Sequence, residues 1–279
     1  MSPKLKALLA TGRISNLPTV WCNCLAAVLL VIQSGFIAHK DISIGLIIMA
    51  SCAYVGGCFL GDVFDVEFDR KHKPDRPIPS GILDQKLVLW LGLFLVLVPA
   101  YFIKSSSYLY LLLFGAIMLY ALLHKRIPLL GLPLIGLCRF FLITFAAGTI
   151  TEVPIILYAS AVAIYTIAFA SVARTESSDS PITWRTLLRY TMLALPLTVL
   201  FTNQSFQLET ITALIIYALW ITYAFSFLNT NKGNYVSKCL AGFCLLDACF
   251  VAQFGWIWLI ICLILFVFAL GLQKIAPAT

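Results

Sequence analysis

Ten long apolar runs, separated by shorter polar segments, make up most of this 279-residue chain. Each run has roughly the 17 to 25 residues that cross a bilayer as an α-helix. They lie at about 16–37, 43–61, 87–103, 107–123, 127–149, 154–173, 186–202, 209–228, 236–252 and 255–272. The ninth run is the weakest, because Lys238 and Asp247 interrupt it, and it could be a re-entrant or tilted helix. The pattern predicts one all-α domain over residues 1–279, a multi-span bundle of nine to ten helices.

Composition agrees with a membrane location. The chain is 61% hydrophobic and 11% charged, too little polar surface to cover a soluble globule. Its net charge of +7 is distributed among loops, so we expect no nucleic-acid partner. Of the nineteen Lys and Arg, sixteen fall on one side of the predicted bundle, two fall on the other, and Arg139 lies inside a run. The positive-inside rule then predicts an integral membrane protein, expected in a bacterial inner membrane, with both termini cytoplasmic.

Nine cysteines lie in or beside the apolar runs, without a CxxC pair. Cysteines in such positions usually act as small hydrophobic residues. The histidines, His39, His72 and His124, all fall in predicted loops. The sequence therefore disfavours a haem or zinc site.

The most informative polar segment, GDVFDVEFDRKHKPDRPIPSG, follows the second run. If the helix continues through it, Asp62, Asp65 and Asp69 at i, i+3 and i+7 lie within about 60° of one another around the axis. Clustered carboxylates repel unless a cation lies between them, and oxygen ligands favour Mg²⁺, which usually completes its shell with substrate phosphates. The pattern predicts a Mg²⁺ site for a phosphorylated substrate; the alternative is a helix end whose carboxylates are merely solvated.

This segment resembles the first aspartate-rich motif of the UbiA superfamily of intramembrane prenyltransferases, N-D-x-x-D-x-x-x-D followed by R-P-x-x-S-G. The three aspartates match, and Arg76-Pro77 through Ser80-Gly81 matches the tail. Gly61 replaces the leading Asn, which removes one amide oxygen from the expected shell. The RISNLPTVW segment from Arg13 resembles the family's entry into the first helix. The segment with Tyr120, Lys125-Arg126 and Pro128 resembles its Y-x-x-x-K-R-x-x-P motif.

The resemblance implies a UbiA-type bundle around a cavity in which two Mg²⁺ ions hold an isoprenyl diphosphate. Asp62, Asp65 and Asp69 would bind metal, and Arg76, Lys125 and Arg126 would help the diphosphate to leave. For Lys125 and Arg126 the alternative is membrane topology alone. The side chains expected to contact substrate are Asn16, Lys73, Tyr120, Arg139 and Arg174.

The second family motif, D-x-x-x-D after the sixth span, is matched only in part by Arg174-Thr-Glu176-Ser-Ser-Asp179. Glu176 and Asp179 could still hold the second Mg²⁺, although Arg174 stands where the family has a carboxylate. Alternatively, Asp179-Ser180-Pro181 simply caps the seventh helix. The combination of SNLPTVW, DVFDVEFDR and ARTES is more similar to the UbiA-like proteins of bacterial Ebo gene clusters than to the quinone-pathway enzymes.

Arg139 is the one basic residue inside a predicted span. An arginine at that depth normally faces a polar cavity or a partner carboxylate, and Asp247 is a candidate partner. Both a structural Arg139–Asp247 pair and a substrate contact are open. Asn16 and Asn23, about two turns apart, could line the same cavity or form structural hydrogen bonds.

The resemblance and the carboxylate pattern together predict Mg²⁺-dependent transfer of an isoprenyl group from an isoprenyl diphosphate to a small aromatic or polyol-like acceptor, with membrane lipid as surroundings. The alternative is a non-catalytic protein that binds or transports a lipid diphosphate. A CDP-alcohol phosphotransferase is disfavoured because its D-G-x-x-A-R pattern is absent.

Overall fold

The computed structural model describes residues 2–35, 44–102, 107–174, 182–201 and 207–276. Within these ranges helices joined by short turns and loops make up the chain, with no strand, which confirms the predicted all-α class. Three short 3₁₀ segments, at Ile14–Asn16, Leu195–Phe201 and Ala252–Phe254, adjoin longer helices. The α-helices are α1 (Pro3–Thr11), α2 (Leu17–Gln33), α3 (Ile44–Phe64), α4 (Val66–His72), α5 (Gln85–Phe102), α6 (Ser107–Leu123), α7 (Pro128–Ala147), α8 (Val153–Arg174), α9 (Ile182–Ala194), α10 (Leu208–Ser226), α11 (Lys232–Val251) and α12 (Trp256–Gln273).

Within the described ranges, seven helical segments are long and apolar enough to cross a membrane, namely α3, α7, α8, α10, α11, α12 and the segment Ile14–Gln33, which joins the first 3₁₀ segment to α2. The apolar segments Gln85–Tyr101 of α5 and Tyr108–Leu123 of α6 are shorter than these. The predicted seventh span, 186–202, differs from this pattern because α9 has only 13 residues, two of them arginines, and a 3₁₀ segment follows it. The sequence thus located nine of the ten apolar elements as continuous helices.

The predicted ninth span is neither re-entrant nor peripheral. It forms the continuous helix α11, which packs against α2, α8, α10 and α12. In α11 89% of the apolar window is buried, against 17% in α12. Because α11 is surrounded by other helices, its polar side chains can find hydrogen-bonding partners inside the bundle. These polar residues are the reason that its hydropathy is low.

Glycines allow close helix packing around the cavity. A Cβ on Gly56 of α3 would lie 2.5 Å from Val96 Cγ2 and 2.9 Å from the carbonyl oxygen of Gly92, both on α5. A Cβ on Gly136 of α7 would lie 2.8 Å from Ile167 Cδ1 on α8. Because lipid provides no hydrophobic force between helices, such close contacts are a main source of packing energy in a bilayer.

The helix that carries the aspartates is almost unbroken between α3 and α4. The N–H of Asp65 donates to the carbonyl of Gly61 at 3.0 Å, and the N–H of Asp69 donates to the carbonyl of Asp65 at 2.8 Å. Both bonds keep the i to i−4 pattern across the junction, where Asp65 has φ −84° and ψ −4°. The continuation assumed from the sequence is therefore present, and it places the aspartates side by side.

Candidate active site

A cavity of about 750 Å³ opens between α3, α6, α7, α8 and α11. Charged residues line one part of it and apolar residues line the other. The charged part contains Arg13, Asp62, Asp65, Lys73, Arg76, His124, Lys125 and Lys232. The apolar part includes Leu113, Ile117, Leu142, Phe169, Leu240 and Phe243. Such a cavity suits a ligand with an anionic head and a hydrocarbon tail.

Each of the three aspartates faces a basic side chain. Asp62 Oδ1 lies 3.2 Å from Arg13 Nη2 and 3.6 Å from Arg76 Nη1. Asp69 Oδ2 accepts a hydrogen bond from Arg76 Nη1 at 2.7 Å. The arginine of the R-P-x-x-S-G tail therefore connects two of the motif's carboxylates, and a chain turn of seven residues is enough to return it to them.

His124 holds the third carboxylate. Its Nε2 lies 3.0 Å from Asp65 Oδ2, and its Nδ1 lies 2.7 Å from the carbonyl oxygen of Tyr120, whose ring stacks on the imidazole. Because both partners are oxygen acceptors, a doubly protonated imidazolium can donate to each of them. From the sequence, His124 is expected in a loop, and Lys125 is matched to the lysine of the family motif. A strict count of Y-x-x-x-K from Tyr120 reaches His124, so the motif contained the missed signal.

Two buried carboxylate oxygens, Asp65 Oδ1 and Asp69 Oδ1, have no hydrogen-bonding partner in the described part of the chain. Buried acceptors are normally paired, and each unpaired one carries a desolvation penalty of about 1–3 kcal/mol. No three His, Cys, Asp or Glu side chains of the described residues converge on one ion-sized point. Mg²⁺ often binds through one or two carboxylates with water and substrate phosphates completing its shell, so the two open oxygens fit this ion.

The other predicted site residues are only partly brought together. Lys73, Tyr120 and Lys125 line the cavity, and Lys125 Nζ lies 4.1 Å above the ring of Phe68. Partial burial lowers the pKa of Lys125 from its ordinary value, and the charges of Asp65 and Asp69 oppose that shift. Arg126, by contrast, is exposed and is not part of the cavity wall.

The predicted second metal site and one predicted substrate contact involve residues that the structure does not describe. Glu176 and Asp179 fall outside the described ranges, as does the side chain of Arg174, so their metal and substrate roles stay predictions. Two basic residues that line the charged part, Arg13 and Lys232, were not among the predicted site residues. Sequence reasoning treated Lys232 only as a topological charge, since it is far from every motif along the chain.

The buried arginine forms a separate polar network. Arg139 donates to Asn23 Oδ1 at 2.8 Å and to Thr19 Oγ1 at 3.3 Å. Asn23 Nδ2 then donates to both Asp247 oxygens, at 3.0 and 2.8 Å, and Tyr158 donates to Asp247 Oδ1 at 2.7 Å. Of the two possibilities left open for Arg139, the direct pair with Asp247 is not formed, and Asn23 bridges the two residues. Asn16 lines the cavity and donates to Tyr54 at 3.0 Å, whereas Asn23 is structural.

Apolar helices enclose a cavity that has carboxylates and cations in one part. This arrangement is typical of an intramembrane protein that binds an amphipathic, anionic ligand. The chain belongs to the UbiA prenyltransferase family, whose family model matches residues 17–241. This confirms the resemblance stated from the motifs and, with the long apolar helices, an integral membrane location. The similarity to Ebo-cluster proteins stays a prediction.

Relatives of known name are digeranylgeranylglyceryl phosphate synthases. The protein from Thermococcus gammatolerans is 32% identical over 120 residues, which covers 39% of this chain and 43% of that one. The protein from Methanopyrus kandleri is 32% identical over 119 residues, covering 41% and 43%. The match thus spans less than half the length of these relatives. A solved structure reported under the same enzyme name has a TM-score of 0.57 at 21% identity, covers 90% of this chain and 98% of that chain, and shows a common fold.

Proposed function

We propose that this protein is a Mg²⁺-dependent prenyltransferase that moves an isoprenyl group from an isoprenyl diphosphate to a small acceptor within the membrane. The observation that carries the proposal is the pair of buried oxygens on Asp65 and Asp69 that have no partner among the described residues, beside the charged part of the cavity that Asp65 lines. Membership of the UbiA prenyltransferase family supports it. The cavity of about 750 Å³ is within the range of small-molecule sites.

The charged end would hold the diphosphate of the donor. Asp65 and Asp69 would bind Mg²⁺ through their open oxygens, with Asp62 beside them; when bound, Mg²⁺ neutralises charge on phosphate oxygens. Arg76, Lys73 and Lys125 can donate to the remaining oxygens, as can Arg13 and His124. These positive groups stabilise the diphosphate as it leaves with the electron pair of the allylic C–O bond.

The apolar end would hold the isoprenyl chain and exclude water. The allylic carbon, once cationic, is attacked by a nucleophilic atom of the acceptor, which forms the new bond and releases its proton. Phe169 lines this part of the cavity, and an aromatic face of this kind can stabilise a nearby positive charge. Water exclusion matters because water would otherwise hydrolyse the cation.

The relatives support a polyol-like acceptor more than an aromatic one. They are named as synthases of digeranylgeranylglyceryl phosphate, a product with a glyceryl phosphate part and two geranylgeranyl groups. Transfer of a geranylgeranyl group to a glycerol-derived hydroxyl is therefore the first reaction to assay here. An aromatic acceptor is the second.

The orientation we infer has residues 1 and 279 on the cytoplasmic side. Support comes from the basic residues of the charged end, since Arg13, Lys125 and Lys232 from three different chain segments meet there. Reporter fusions at residue 1 and residue 279 test the orientation, and a periplasmic signal from either fusion would contradict it.

The deciding experiment for the reaction incubates purified protein with Mg²⁺, labelled geranylgeranyl or farnesyl diphosphate, and a lipid or metabolite extract. Mass spectrometry should detect a labelled prenyl product and free diphosphate, and chelation of Mg²⁺ should abolish both until the ion is restored. Tight Mg²⁺-dependent donor binding without product would instead support a non-catalytic binder. Ion pairing of all three aspartates is the observation that favours this second function.

A further inference from the structure

Arg139 lies in the same cavity as the aspartates but well away from them. Tyr54 and Asp62 share a face of α3 and are eight residues apart, which corresponds to about 12 Å along the axis. The guanidinium carbon of Arg139 lies 5.4 Å from the centre of the Tyr54 ring. Both Tyr54 and Arg139 line the cavity. A ligand held at Asp62 and a group held at Arg139 would thus lie beside different turns of α3 in one cavity.

Within the described ranges, only part of the hydrogen-bonding capacity of Arg139 is used. A guanidinium has five N–H donors, and the hydrogen bonds to Asn23 and Thr19 use two of them. Both acceptors are neutral. No carboxylate lies within 4.0 Å of Arg139 in the described part of the chain. Although the residue is only 7% exposed, it forms part of the cavity wall, so its remaining donors can serve a ligand there.

The surroundings of Arg139 fix its orientation without neutralising it. Its guanidinium carbon lies 4.5 Å from the Phe243 ring centre, and the group donates hydrogen bonds to Asn23 and Thr19 of α2. The nearest negative charge of the network, Asp247, is reached only through Asn23, and both of its oxygens are already occupied. A charge that is buried in a membrane bundle and left without a direct counterion marks a functional site more often than a structural one.

We propose that Arg139 forms an oxyanion-binding subsite that selects an acceptor carrying a carboxylate or a phosphate group. The planar fork of arginine matches both groups in a bidentate manner, and its preset orientation reduces the entropy lost on binding. Arg139 then holds the acceptor's anionic group on the side of the cavity away from the diphosphate. The inference rests on the proposed function, because it specifies the acceptor for that reaction.

The test measures acceptor binding separately from turnover. The protein in detergent is loaded with Mg²⁺ and an unreactive thio-analogue of geranylgeranyl diphosphate, and calorimetry then compares two matched pairs of acceptors. One pair is 4-hydroxybenzoate and 4-hydroxybenzamide; the other is geranylgeranylglyceryl phosphate and geranylgeranylglycerol. In at least one pair the anionic member should bind ten or more times tighter, and Arg139→Gln should remove that preference. The pair that shows it identifies carboxylate or phosphate as the group recognised.

Three further variants separate a subsite from a structural role. Arg139→Lys keeps the charge and should retain part of the preference. Arg139→Gln combined with Asp247→Asn removes both network charges, so it should fold even where the single variant does not, and it should still lack the preference. Arg70→Gln, an exposed arginine change on α4, should keep the preference in full.

The outcomes also separate this inference from the proposed function. Loss of donor binding in the wild-type protein would overturn the proposed function itself. Normal donor binding without anion preference in either pair would overturn the subsite alone, as would a preference that persists in the double variant. Donor binding in each Arg139 variant serves as the check on folding.

Discussion

The two charged regions of this bundle satisfy their carboxylates in opposite ways. In the aspartate motif, Asp65 and Asp69 each keep one buried oxygen that has no partner in the described structure. Within the bundle, both oxygens of Asp247 accept hydrogen bonds from Asn23, and Tyr158 adds another. Among the described residues, the first region thus retains free acceptor capacity, whereas both oxygens of the second carboxylate are hydrogen-bonded.

An unpartnered carboxylate oxygen distinguishes a candidate ligand-binding aspartate from a structural one better than the charge or the burial of the residue does. Asp69 and Asp247 are both almost fully buried, at 1% and 0% exposure, and both are linked to an arginine. Only the open oxygen on Asp69 leaves capacity for a metal ion. A substitution in the aspartate motif should therefore mainly lower turnover, and a substitution at Asp247 should mainly lower stability.

The largest expected effect is that of Asp65→Asn. An amide at this position would remove a negative charge from the proposed Mg²⁺ site, so the turnover number should fall by about 10²–10³-fold. Steady-state kinetics with labelled donor measure it. The matched control is Glu67→Gln, which removes an exposed negative charge from the same segment and should retain the wild-type rate within about twofold. Equal losses in both variants would mean that net charge, rather than ligation, is what matters here.

Asp247→Asn should act on stability. The new amide nitrogen would face the donors of Asn23 or Tyr158, so at least one hydrogen bond is lost. The free energy of unfolding should decrease by about 1–2 kcal/mol, the upper range for a polar contact between membrane helices. Unfolding in mixed detergent measures this change. A wild-type transition midpoint would show that the network contributes nothing to the fold.

Arg76→Lys tests the connection between two carboxylates. Lysine keeps the charge but cannot reach Asp62 and Asp69 with a fixed fork, so turnover should fall about tenfold, equivalent to about 1.4 kcal/mol. Arg70→Lys, in the exposed part of α4, is the control and should have little effect. If the two variants are indistinguishable, Arg76 supplies only positive charge.

The smallest effect is expected for Gly61→Asn, which restores the residue that the family motif has at this position. A Cβ on Gly61 meets nothing within 4 Å, so the side chain can enter the cavity without strain. An added amide oxygen near the carboxylates should lower the Mg²⁺ concentration required for half-maximal activity by a few-fold. Magnesium titration measures this; weaker Mg²⁺ binding would indicate that the open space at Gly61 is needed by substrate.

The sequence was sufficient for elements whose signal is local. The continuation of the helix through Asp62, Asp65 and Asp69 is a short-range feature that the spacing predicted, and it is found in the structure. The contact of Arg76 with Asp69 is also short-range, but it was not predicted. Nine of ten apolar helices were located for the same reason. The prediction of one helix over 186–202 was weaker because this window contains Arg189, follows Arg185, and is divided in the structure between α9 and a 3₁₀ segment.

Long-range side-chain geometry could not be predicted in this way. His124 reaches Asp65 across 59 positions, and Asn23 reaches Asp247 across 224. Which residue comes between Arg139 and Asp247 depends on the rotation of α2 relative to α7 and α11, and no periodicity in the chain encodes that rotation. The expected direct pair was chemically reasonable, but its geometry required tertiary structure.

The buried Asp247 of α11 makes membrane insertion of this helix depend on helices that are inserted before it. An unpartnered aspartate in a membrane helix opposes insertion by up to about 3 kcal/mol. Asp247 gains its partners from α2 and α8, and both helices precede α11 in the chain. During synthesis from the N-terminus these partners are already in the bilayer when α11 emerges. The late position of α11 in the sequence thus allows a poorly hydrophobic helix to enter the membrane with its polar contacts ready to form.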